Sequence, residues 1–369
     1  MRISSCSTRT SGDVLDGMRV LIGSGKVQIG RYLQSERAIA AQYGVSEKTV
    51  RRALKVLEDE GLIKVEPRKG YRVLAARKDD DRSTALTAAF VYAGPATSTD
   101  EAYYQRLLGQ LQLAAGRRNI GLLGLRSEGN DAAGIMERIR KSGASSVILE
   151  TMKEGLLEQI ERAGIPAVMV TSWLPAGRFD AVVQDGFSGG FQAASWLAER
   201  GHKRIGFFGH FSGSNLISLE RFSGALGTLA ASGIDIPADL RVNAPFGTPE
   251  DLLPAAREWL SRSDRPIGIL ALWQSSCHAL IIAARELNLK LGRDLDIVGW
   301  STLEDYPDLP SSELAPHEIP PMIVWSVREL AEAAVARLLE RRAQPDLPVV
   351  VTRLPVSLRL PRAKQGEQP

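Results

Sequence analysis

Apolar residues near the N-terminus recur at helical spacing. Val14, Leu15, Met18, Leu21 and Ile22 line one face of a short predicted helix that ends at Gly23. A second helix opens at Ser35, whose hydroxyl suits an N-cap; it carries Ile39 and Ala40 and stops at Gly44. A third opens at Ser46 and carries Val50, Ala53, Leu54 and Leu57. After Gly61 the pattern becomes that of extended chain. Leu62 to Glu66 and Tyr71 to Leu74 are joined by Pro67, Arg68, Lys69 and Gly70, a predicted hairpin with a basic tip. Three helices and this hairpin make a winged helix-turn-helix, predicted over residues 12–75.

Residues 76–85 hold three consecutive aspartates and almost nothing apolar, the composition of a solvated linker. From 86 to 362 the pattern changes again. Apolar extended runs, Leu86 to Tyr92, Ile120 to Leu125, Val147 to Leu149, Ala167 to Val170, Ala181 to Val183, Ile205 to Phe208, Ile267 to Leu272 and Ile297 to Val298, alternate with helical patterns. Among the latter are Leu107 to Arg118, Gly190 to Arg200, Leu219 to Ser232 and Cys277 to Leu287. Continuous apolar strands alternating with helices predict an α/β fold whose parallel sheets are covered on both faces. Pro361 to Pro369 reads as a frayed tail.

Charge separates the two regions further. Residues 1–78 hold 16 Lys/Arg against 8 Asp/Glu, a net of +8, while the remainder nets −5. The excess positive charge therefore sits in one small unit, which points to a polyanion as the partner of that unit alone. The longest apolar stretches, Ile267 to Trp273 and Ala279 to Ala284, fall far short of the roughly 20 residues a membrane span needs. The Ser/Thr-rich start lacks the apolar core of a secretory signal, so the cytoplasm is the expected compartment. Cys6 and Cys277 offer no disulfide framework. Four histidines form no coherent metal set, and no P-loop, GxSxG or HExxH stretch is present, so neither an enzyme nor a cofactor is expected.

The stretch LQSERAIAAQYGVSEKTVRRALKVLEDEGLI, Leu33 to Ile63, resembles the DNA-binding domain of the GntR family through Ser35, Glu36, Arg37, Gly44, Val45, Ser46, Thr49, Val50, Arg51, Ala53, Leu54, Leu57, Glu60, Gly61 and Leu62. The helix opening at Ser46 turns its apolar side inward, which leaves Glu47, Lys48, Thr49 and Arg51 at its exposed start, where a recognition helix meets the major groove. The resemblance implies DNA contacts from Ser35, Arg37, Ser46, Glu47, Lys48, Thr49 and Arg51, with Arg68, Lys69 and Gly70 as the wing tip near the minor groove or its phosphates. Two positions depart from the family: Gln34 replaces a proline, and Glu47 replaces an arginine that contacts DNA. A carboxylate at 47 is unsuited to phosphate; it can accept from a cytosine amino group or pair with Lys48 or Arg51.

From about Leu86 to Leu360 the chain resembles the LacI-type regulator core, a two-lobed, periplasmic-binding-protein-like fold. The clearest stretch is VVQDGFSGGFQAASWLAERGHKRIGFFG, Val182 to Gly209; Glu220, Arg221 and Gly224, then Ile297, Val298 and Gly299, continue the match. Ser326 to Leu339 and Leu354 to Leu358 resemble its closing helix and strand. The resemblance implies an effector between the lobes, contacted by Arg221, with Asp185 at the lobe crossover in a capping, hinge or binding role. His202 is expected to be structural. Ser275 and Ser276 stand where the family has asparagine and aspartate, and Ser301 ends its GFD turn, so an acidic acceptor has been lost. Trp273, Trp300, Trp325 and Phe246 fall near the cleft as a platform for a flat ligand or as core; Phe246 and Trp325 join Ser275 and Ser301 among the expected effector contacts.

The combined expectation is a homodimeric regulator, a repressor in the first instance, that binds a double-stranded, roughly palindromic operator and is controlled by a small molecule of carbohydrate type. The alternative is a DNA-binding regulator that senses a protein partner or has lost its effector.

Overall fold

The structure, a computed structural model, describes residues 14–15, 18, 22, 27, 30–59, 62–66, 69–74, 86–93, 98–127, 131–150, 153–172, 177–210, 216–234, 237–245, 247–305 and 319–360. Arg68, Phe246, the linker at 76–85 and the tail after 360 lie outside the described residues. Two compact units emerge, Met1–Ala85 and Leu86–Pro369.

In the first unit Val14, Leu15, Met18 and Ile22 are helical, and Val14, Met18 and Ile22 share one apolar cluster with Ile39, Val50, Leu54, Leu57, Ile63 and Val73. Ser35 caps the helix Glu36–Tyr43 by accepting from the Ala38 N–H at 3.2 Å. Gly44 stops that helix at φ 65°, a left-handed conformation that strains any residue with a Cβ. Ser46 then accepts from the Thr49 N–H at 3.2 Å as the helix Glu47–Asp59 begins. Strands β1 (Ile63–Glu66) and β2 (Gly70–Val73) pair antiparallel, with Ile63 opposite Val73.

The second unit holds two six-stranded sheets, one per lobe. The first lobe contains β3 (Thr87–Tyr92), β4 (Gly121–Arg126), β5 (Ser146–Glu150), β6 (Ala167–Val170), β7 (Asp180–Gln184) and β13 (Val351–Leu354), all parallel, in the order β13-β7-β6-β5-β3-β4. The second contains β8 (Ile205–Gly209), β9 (Arg241–Asn243), β10 (Gly268–Ala271), β11 (Asp296–Thr302), β12 (Met322–Trp325) and β14 (Ser357–Arg359), in the order β14-β12-β11-β10-β8-β9. Only β14 runs antiparallel in it. Each sheet is apolar on both sides, as the uninterrupted apolar runs require: Ala88 and Phe90 pack to one side of β3, Ala89 and Val91 to the other.

The chain passes between lobes three times, at Asp185, at Ser326 and at Pro355–Val356. The last passage corrects the single closing strand expected over Leu354 to Leu358. Proline at 355 lacks an N–H for a continuing ladder, and the run divides into β13 in one sheet and β14 in the other. Three helices, Ala132–Lys141, Glu154–Arg162 and Pro249–Ser261, were not among the helical patterns noted from the sequence.

Helices Gly186–Glu199 and Leu216–Ala231 pack at backbone contact. A Cβ on Gly190 would stand 2.0 Å from the Arg221 carbonyl oxygen, and one on Gly224 2.0 Å from that of Phe187. In the first lobe Asp180 is buried and accepts from Arg337 at 2.9 Å, from Arg341 at 2.7 Å and from the Val350 N–H at 2.9 Å. Burial alone pushes the Asp180 carboxyl up, but these donors outweigh it and hold it below the usual range. Its contribution is therefore complete above the unfolded carboxylate value of about 3.9 and is lost as pH falls through the lower folded value. Asp180→Ala, which strands two arginines, is expected to cost about 3–5 kcal/mol in chemical denaturation at neutral pH. The gap to wild type should narrow in acid below pH ~4.

Candidate functional site

The helix Glu47–Asp59 buries Val50, Ala53, Leu54 and Leu57 and leaves Ser46, Glu47, Lys48 and Arg51 exposed, with Thr49 half-buried. Arg51 remains 62% exposed at its side chain while its Nε donates to Glu36 Oε2 at 2.6 Å. The other oxygen of Glu36 accepts from the Tyr71 hydroxyl at 2.9 Å, so one carboxylate joins the helix-turn-helix to β2 and braces the arginine. With Nε engaged, the two terminal nitrogens remain for an outside acceptor; Glu47 lies 3.7 Å from one of them. Ser35 and Arg37 are exposed at the start of the preceding helix. At the hairpin tip Lys69 is exposed, 3.9 Å from Glu66, and Gly70 adopts φ 102°, which permits the tight turn.

In the second unit, polar and aromatic residues gather where parallel strands end, the place such sheets leave open for a ligand. Tyr92 ends β3, Glu150 ends β5, Thr171 follows β6, Trp273 follows β10 and Trp325 ends β12. Arg221, on the helix Leu216–Ala231, is 3% exposed. Its guanidinium carbon lies 3.9 Å from the ring centroid of Trp300 and 4.6 Å from that of Trp273, and Nη1 donates to the Leu272 carbonyl. Arg221 Nε and Trp300 Nε1 are buried without a hydrogen-bond partner. Burial lowers the Arg221 pKa to about 9, which still leaves a cation at neutral pH. From the other lobe Tyr103 meets Trp325 edge-on at 6.2 Å. Burial, then the charge of Glu150, pushes the Tyr103 hydroxyl well above its usual value, so it stays protonated.

Residues 10–73 match the family described as "Bacterial regulatory proteins, gntR family", and residues 194–360 match the "Periplasmic binding protein-like domain". The chain thus carries a match to the gntR family ahead of a match to the periplasmic-binding-protein-like domain. Among curated proteins it is similar to the HTH-type transcriptional repressor PurR of Klebsiella pneumoniae, 25% identical over 218 residues, which is 57% of this chain and 63% of that protein. The match thus spans less than two thirds of that relative's length. Two solved structures share the fold. A LacI family transcriptional regulator from Enterococcus faecium with bound ribose has a TM-score of 0.61 at 18% identity, over 74% of this chain and 97% of that one. The transcriptional regulator CelR in its cellobiose complex has a TM-score of 0.64 at 20% identity, over 89% and 99%.

Within the periplasmic-binding-protein-like domain, Arg221, Trp273 and Trp300 form one cluster, and Trp325 shares their side of the sheet. Ser301 does not join it. Strand alternation puts Ser301 on the side of Gly299, which faces Cys277, with Ser275 half-buried at the start of the same helix, Gln274–Glu286. Asp185 is an N-cap, accepting from the Ser188 N–H at 2.9 Å, at the rim of an outward groove with Phe187, Leu219 and Glu220. His202 bonds Asp296 at 2.7 Å beside Arg200, a structural arrangement. Tyr103, Tyr104, Glu150 and Thr171 were not singled out from the sequence; their signal was position, at or after strand ends or on the helix opposite them.

Glu304, just past β11 in the second lobe, accepts from Ser326 Oγ at 2.8 Å and from the N–H groups of Val327 and Arg328 at 3.1 Å, so it caps the helix Val327–Ala343 of the first lobe. Glu304→Ala is expected to lower stability by about 1–2 kcal/mol, read as a shift of the denaturation midpoint at unchanged slope.

Proposed function

We propose that this chain is a DNA-binding transcription regulator, a repressor, whose hold on its operator is set by a small-molecule effector between the two lobes. The observation that carries the reading is the braced Arg51 at the exposed start of the Glu47–Asp59 helix. An arginine whose Nε is already held offers both terminal nitrogens in a fixed plane, the arrangement that suits guanine O6 and N7. Glu47, one turn earlier, has cytosine N4 as its natural base partner. Ser35, Ser46, Thr49, Arg37 and Lys48 supply donors for flanking phosphates, and Lys69 and Gly70 approach the backbone from the wing.

Two copies on a roughly palindromic site follow from the need to hold two readers at a fixed separation, so the active form is a homodimer. The ribose- and cellobiose-bound relatives favour a carbohydrate effector, and the relative named as a repressor favours repression. An effector acts by binding one arrangement of the lobes more tightly than the other. The work is cytoplasmic, where the DNA is.

The test is selection from a randomised duplex library, followed by titration of the selected site. Arg51→Ala is expected to weaken specific binding by about 1–3 kcal/mol, whereas Lys69→Ala should weaken all duplexes mildly and reduce the salt slope by ~1. Glu47→Gln should move the selected base from cytosine toward adenine. Equal affinity of wild type and Arg51→Ala for the selected site would contradict the placement of the recognition helix.

A further inference from the structure

We propose that the effector is an acidic sugar, bearing a carboxylate or a phosphate ester, and that this anionic group seats against Arg221. The inference rests on the small-molecule reading above and adds the charge of the ligand to it. Every described carboxylate around the cleft is already engaged by protein donors. Glu150 accepts from the Tyr104 hydroxyl at 3.0 Å. Glu220 pairs with Arg353 at 2.7 Å, across the lobes. Glu304 caps a helix, and Asp305 takes Arg106 and, at 2.6 Å, the Thr302 hydroxyl.

Arg221 has no such partner among the described residues. It meets two indole faces and one carbonyl, with Nε unsatisfied. The neighbouring charge of Glu220 favours the cation, but that carboxylate is held by Arg353 and burial outweighs it; indole faces offset only part of the cost of burying a cation. Arg221 Nε itself and the Nε1 of Trp300, whose ring lies under the guanidinium, are buried donors without a partner. A neutral hydroxyl asks its site both to give and to accept, whereas an oxyanion only accepts, and a site of donors around a cation is matched to the latter. The half-buried face of Trp273 supplies the flat apolar surface on which a sugar ring stacks.

The experiment uses the full-length protein, thermal shift and calorimetry, and matched probes: glucose, glucuronate and glucose 6-phosphate; galactose and galacturonate; ribose and ribose 5-phosphate. At least one acidic member is expected to bind, its neutral counterpart 30-fold or more weaker, and the carboxylate and phosphate members together identify which anion the site takes. Arg221→Met should erase that preference yet melt at or above wild type without ligand, because it removes an unpaired buried charge. Arg221→Lys, which keeps the charge and loses the planar donors, should retain part of it. A neutral sugar binding as tightly as its acidic counterpart, or an acid preference that survives Arg221→Met, overturns the inference and leaves the effector reading intact. Binding by no member of either class takes down both.

Discussion

Burial of both sheets on both faces leaves only the strand ends free to carry chemistry. Each parallel strand must be followed by a crossover, in most cases here a helix, that carries the chain back to the start of the next strand, so the segments leaving the strands collect along one rim of each lobe. The residues there, Glu150, Thr171, Trp273 and Trp325 among them, owe their proximity to this rule and not to nearness in sequence. The three lobe passages at Asp185, Ser326 and Val356 lie on the same rim. Two of them are tied together, since the Asp185 N–H donates to the Leu354 carbonyl at 2.9 Å.

The first unit, Met1–Ala85, obeys a different constraint. Its apolar cluster is small, and the orientation of its exposed cation depends on a polar device, the Glu36 carboxylate shared between Arg51 and Tyr71. An unbraced arginine would lose side-chain entropy on meeting a base; one already held has less to lose. The same device ties a hairpin strand to the helix Glu47–Asp59, because Tyr71 belongs to β2.

Most of the architecture was legible from patterns that have a physical cause. The caps at Ser35 and Ser46, the stop at Gly44 and the hairpin around Lys69 and Gly70 were readable because short polar side chains and glycine have few other reasons to stand there. Continuous apolar runs located β3 to β8, β10 and β11, since both faces of those strands are covered. Short strands such as β9 and β14, at three residues each, carry too few positions for any period to show. The helix Pro249–Ser261 had a readable start, Thr248 and Asp251 in a reciprocal cap with proline at the first turn, which the search for apolar spacing passed over. In the candidate cleft Arg221 was visible through its motif. Tyr103 and Glu150 were not, because what unites them with Arg221 is the closing together of two lobes whose sequences lie far apart.

The contact at Gly190 has a mechanical consequence. Because the Arg221 carbonyl rests directly on the backbone of the helix that begins after Asp185, with no side chain between them to flex, the two helices form a single stiff plate. One end of that plate is the first lobe passage, at Asp185. A load placed on the guanidinium would therefore reach the first passage between the lobes through backbone, with no flexible side chain in the way.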